Sequence, residues 1–114
     1  MEPFVVVITT LPDRASARTL AEALVRERLA ACVNVMSECT SIYRWRGAVE
    51  TAAEVTLWIK TRAALFSSIA QFIKEHHPYD LPEVIALPLT AGLAPYLEWI
   101  QHETEQGQCN LEQP

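Results

Sequence analysis

Hydrophobic positions along this chain change their period repeatedly, and each change predicts an element. Residues 4–10 read FVVVITT, a β-branched run with no polar alternation. A strand buried on both faces reads this way, so this one is expected centrally in a sheet. Pro12 and Asp13 break it, and an Asp oxygen there can accept from the free amides of a first helical turn. Ala17, Leu20, Ala21, Leu24 and Val25 then recur at helical spacing, with Arg18, Glu22 and Arg26 opposite, which predicts an amphipathic helix. Residues 30–46 alternate with β-branched and aromatic positions, Gly47 interrupts, and residues 48–61 alternate again, the pattern of a long hairpin turning near Gly47. In its second arm Val49, Thr51, Ala53, Val55, Leu57 and Ile59 are expected on a core face, with Glu50, Glu54, Trp58 and Lys60 on the other. Residues 64–75 carry Leu65, Phe66, Ile69, Phe72 and Ile73 at helical spacing, and Pro78 ends that helix after His77. Residues 83–89 read as a short strand, placed at a sheet edge because Pro88 has no amide to donate. A last short helix holds Leu93, Tyr96, Leu97 and Ile100, with Pro95 in its first turn.

The order βαββαβ plus a C-terminal helix predicts an α+β fold, a ferredoxin-like sandwich with helices on one face of a four-stranded antiparallel sheet. It occupies residues 1–105 as a single domain, and the polar tail 106–114 is expected to be disordered. Each hairpin arm extends roughly 45 Å at ~3.3 Å per residue, against a diameter near ~35 Å for a domain of this length. The arms therefore overhang, and their tip carries Tyr43 and Trp45. A neighbouring subunit would cover that aromatic surface. Alternatively, a bulge near Ser37 and Glu38 folds the tip back onto its own sheet.

Composition sharpens this picture. Half the residues are hydrophobic, and the surplus apolar surface fits a subunit interface. No stretch approaches the ~20 apolar residues of a membrane span, and the N-terminal run lacks a basic flank, so no membrane association and a cytoplasmic location are expected. A net charge of −5 disfavours nucleic acid. Cys32, Cys39 and Cys109 form no CxxC pair; an odd number fits a reducing compartment, and the first two read as small buried hydrophobes.

Candidate chemistry is sparse. Nucleophile-elbow, HExxH and glycine-rich phosphate motifs are absent from the sequence, so no enzymatic activity is expected. His76 and His77, followed by Pro78 and Tyr79, read either as metal ligands or as a helix C-terminus with a rigid turn after it. Lys60, Tyr79 and Glu83 read either as a small-anion site or as a surface ion pair. Trp99 is either core or a cleft wall.

Five ordered segments carry a resemblance: 29–34 (LAACVN), 40–47 (TSIYRWRG), Glu54 with 59–61 (IKT), 77–79 (HPY) with 82–85 (PEVI), and 96–99 (YLEW). Together they resemble the CutA divalent-cation-tolerance family over nearly the whole chain. The resemblance implies a ferredoxin-like homotrimer interlocked through the hairpins, with Tyr43 and Trp45 at the trimer interface. It implies a cytoplasmic role in tolerance to divalent metal ions, copper above all. Some bacterial members are associated with copper ligation by a cysteine ending the first strand and by a His-His pair. His76 and His77 match the pair, whereas Thr9 stands where that cysteine would be. Loss of the soft thiolate implies weaker and less selective Cu(II) binding. The family trimer is also similar to PII-type signalling proteins, and in that reading Lys60, Tyr79, Glu83 and Trp99 line an intersubunit cleft for a small ligand or protein partner.

Overall fold

The computed structural model describes residues 3–105, which fold in the order β1 (Phe4–Leu11), α1 (Arg14–Arg26), β2 (Cys32–Trp45), β3 (Ala48–Arg62), α2 (Phe66–His76), β4 (Ile85–Leu89) and α3 (Ala94–Glu103). A short 3-10 turn, Ala63–Leu65, leads into α2. The strands form one antiparallel sheet in the order β2-β3-β1-β4. The expected ferredoxin-like sandwich is therefore present, with β1 inside and the Pro88 strand at an edge. Asp13 caps α1 as expected, its Oδ1 accepting from the Ser16 amide at 2.7 Å. The expected tail, with Cys109, lies outside the described residues.

Odd-numbered β1 residues Val5, Val7 and Leu11 meet Val55, Leu57 and Ile59 of β3 beneath Leu20 and Leu24 of α1 and Ile69 and Ile73 of α2, all buried. Side chains alternate along a strand, so the even-numbered residues point to the opposite, open face. At one end of that face α3 seats Ile100 and Leu97 on Phe4, Ala31 and Leu89. Arg62 anchors the helix terminus, its guanidinium donating to the Thr104 hydroxyl and carbonyl at 2.8 Å each. Among the described residues, no helix is long and apolar enough to cross a membrane.

The hairpin carries the bulge of the alternative reading, yet it still projects. Val35 pairs with Leu57 but Glu38 with Val55, so Met36 and Ser37 together face Thr56. An inserted residue exchanges the faces of everything beyond it. Val33 and Val35 therefore lie on the helix side, while Cys39, Ser41, Tyr43 and Trp45 lie on the open side with Glu54. Arg14 donates to the Met36 carbonyl at 3.3 Å, occupying an acceptor at the bulge. The tip closes on Arg46 and Gly47, both at positive φ, the backbone of a two-residue type I′ turn. The chain measures 54 × 31 × 23 Å, and the hairpin accounts for its long axis.

The second arm departs from expectation at two points. Only Val55, Leu57 and Ile59 of the second arm are core; Val49, Thr51 and Ala53 are exposed. β1 ends at Leu11, opposite Val55, so the arm before Val55 has no central strand beside it. Glu54, expected on a solvated face, is instead buried, at 8% exposure.

Candidate functional site

The loop after α2 is organised by its two histidines, which play different parts. His77 closes the helix in an extended conformation, as the following proline requires. The Tyr79 amide donates to its Nδ1 at 3.1 Å, so Nε2 carries the proton and donates to the Thr10 carbonyl at 2.6 Å. Both ring nitrogens are thus occupied in tying the loop to the end of β1. His76 is exposed and stacks on Phe72 with ring centroids 4.1 Å apart. Its Nδ1 lies 2.8 Å from the Phe72 carbonyl, which can only accept, so the proton sits on Nδ1. The Nε2 lone pair has no hydrogen-bond partner among the described residues.

Tying His77 to β1 sets Tyr79 over the open face. The Tyr79 hydroxyl donates to Glu54 Oε2 at 3.0 Å, and the Thr10 hydroxyl donates to the same oxygen at 3.2 Å. These residues line a cavity of about 670 Å³ that runs along the hairpin, together with Tyr43, Trp45, Asp80 and Glu83. Burial, the hydrogen bond to Glu54 and the Glu54 charge together push the Tyr79 phenol up to about 12. Burial, then the Glu54 charge, also raises Glu83 above the usual carboxylate range.

The raised phenol has a consequence in alkali. Folded protein holds the Tyr79 proton above pH 10, where the unfolded chain releases it. The stability tied to that proton is complete below pH 10 and is lost as pH rises through about 12. Melting temperature should therefore fall more steeply over that interval in the wild type than in Tyr79→Phe. Equal slopes would show that the phenol is not perturbed.

The remaining expected site residues are dispersed. β3 and β4 both run antiparallel to β1, so they are parallel to each other, and Lys60 is level with Leu87 across Val6. Lys60 is thus about 13 Å farther along the sheet than Glu83, at ~3.3 Å per residue. It does not line the cavity. Trp99 lies on α3, half exposed and 5.5 Å from the Tyr96 ring, also outside the cavity. Thr9 points into the helix-covered core, where its hydroxyl is buried without a hydrogen bond among the described residues. Cys32 is partly buried and Cys39 exposed, neither of them a core residue as expected. Glu54, Thr10 and Asp80 were absent from the expected set. Nothing in an alternating strand marks Glu54 as buried until the register sets it beside Thr10 and beneath Tyr79.

Fold and site together define a ferredoxin-like α+β protein with an extended hairpin and a half-enclosed acidic cavity along it. The family model for the CutA1 divalent ion tolerance protein matches residues 5–103, and the chain belongs to that family. Divalent-cation tolerance protein CutA of Thermus thermophilus is 46% identical over 99 residues, covering 87% of this chain and 96% of that one. Protein CutA, chloroplastic, of Arabidopsis thaliana is 44% identical over 102 residues and 90% of this chain, which spans 56% of that relative's length. The crystal structure of CutA1 from Oryza sativa superposes with a TM-score of 0.89 at 43% identity, covering 92% of this chain and 96% of that one.

Proposed function

We propose that the chain acts in divalent-cation tolerance as a homotrimer that binds Cu(II) through His76. One observation carries the metal reading: the exposed His76 ring is fixed by Phe72 with Nδ1–H on a carbonyl, and its Nε2 has no hydrogen bond among the described residues. Ligating histidines commonly hold their second nitrogen in this way, which sets the tautomer and the ring orientation. His77 does not fit the role, since a metal on either nitrogen would displace a hydrogen bond that holds the loop. No group of three or more His, Cys, Asp or Glu suited to a metal occurs among the described residues. Binding through one imidazole, completed by water, is accordingly weak, and with Thr9 in place of a thiolate it is poorly selective.

Support for the trimer comes from the open face. Trp58, Ile85 and Leu87 are 41%, 49% and 49% exposed, and they adjoin across Ile8 and Val6. A contiguous apolar surface of this kind, flanked by two unpaired strand edges, suits burial against copies of the same chain.

Cu(II) titration by calorimetry tests the metal reading. His76→Ala should weaken binding at least about tenfold, or 1.4 kcal/mol, while His77→Ala should keep the affinity and lower the melting temperature. Indistinguishable affinities for wild type and His76→Ala would reject it.

A further inference from the structure

A groove of about 530 Å³ lies between α1 and β2, on the helix side of the sheet. Val25 of α1 lines it with Val33 and Val35 of β2, together with Arg18, Glu22 and Arg26. Val25 belongs to the apolar stripe of α1 yet is 43% exposed, so the stripe continues past the core and into this groove. Arg18 and Glu22 pair with each other at 3.2 Å. Arg26 makes no hydrogen bond or ion pair among the described residues, which leaves the groove one net positive charge.

The chain leaves α3 close to this groove. Arg28, just beyond the end of α1 at Arg26, donates to the Glu103 carbonyl at 3.2 Å. Residues 106–114 follow directly, and a segment of that length spans up to about 30 Å when extended. Their sequence, QGQCNLEQP, holds one large apolar residue, Leu111, and one charge, Glu112. An apolar side chain followed by a carboxylate is what three exposed or half-buried valines beside an unpaired arginine can accommodate.

We propose that residues 106–114 dock in this groove of their own protomer, with Leu111 against Val25, Val33 and Val35 and the Glu112 carboxylate on Arg26. Removing Leu111 and Val25 from water opposes the entropy lost in ordering the segment. A neighbouring copy fits this position less well, because Val33 and Val35 point to the helix side, away from the open face on which the trimer is proposed.

Methyl NMR of the assembled chain tests the docking. Deleting 106–114 should shift the Val25, Val33 and Val35 methyl signals and leave those of Val5 and Val7, deeper in the same core, in place. Leu111→Ala in the full chain should reproduce those shifts. Arg26→Glu should lower the melting temperature, and adding Glu112→Arg to it should recover the loss. Groove signals that are the same with and without residues 106–114 would overturn the proposal. So would groove shifts that follow protein concentration, which would give the groove to a neighbouring copy.

Discussion

Leu57→Ala should lower stability by about 3–5 kcal/mol, among the largest losses expected from truncating a described core residue. Leu57 is fully buried on β3, with Thr9 of β1 on one side and Val35 of β2 on the other. Both helices cover this face through Leu24, Ile69 and Ile73. A cavity left there has rigid strands on two sides and little means of collapse, so the upper half of the usual range applies. Urea unfolding at a fixed protomer concentration measures it, because assembly makes apparent stability depend on concentration. A loss below about 1 kcal/mol, the typical effect of an unselected substitution, would mean that the sheet centre is not packed as described.

Trp58→Asp is the second large effect, and it acts on assembly more than on the single chain. Trp58 is 41% exposed on the open face, so within one chain the lost burial and the poor strand propensity of Asp should cost on the order of 1–2 kcal/mol. In the proposed trimer the same position would bury an unpaired carboxylate in every subunit, at several kcal/mol each. The expected outcome is a folded monomer, with near-native circular dichroism and one third of the wild-type mass. A variant that remains trimeric would place the interface elsewhere.

How far the sequence disclosed this structure depends on whether a feature is local. Asp13, Pro78 and Gly47 act through their own backbone or capping chemistry, and each began, ended or turned an element where expected, while Pro88 put its strand at the sheet edge. The two-sided burial of β1 was equally legible, because an unbroken β-branched run has few alternatives. Long-range register was not. Parallel directions of β3 and β4 separate Lys60 from Glu83, although both belong to strand ends, and no local pattern encodes that. The bulge at Met36 and Ser37 sends Tyr43 and Trp45 to the same face as Glu54, a consequence of counting residues across a strand pair. The division of labour between His76 and His77 rests on carbonyls at Phe72 and Thr10, one of them 67 residues away. A dihistidine in sequence cannot announce that one of its members is already occupied.

The proposed assembly depends on what meets the open face and the hairpin. Sedimentation equilibrium of the wild-type chain across the micromolar range addresses this directly. A mass of three times the 12.8 kDa chain is expected, falling to one chain mass in Trp58→Asp. A wild-type mass of one chain throughout that range would contradict the trimer and leave the apolar open face without an occupant.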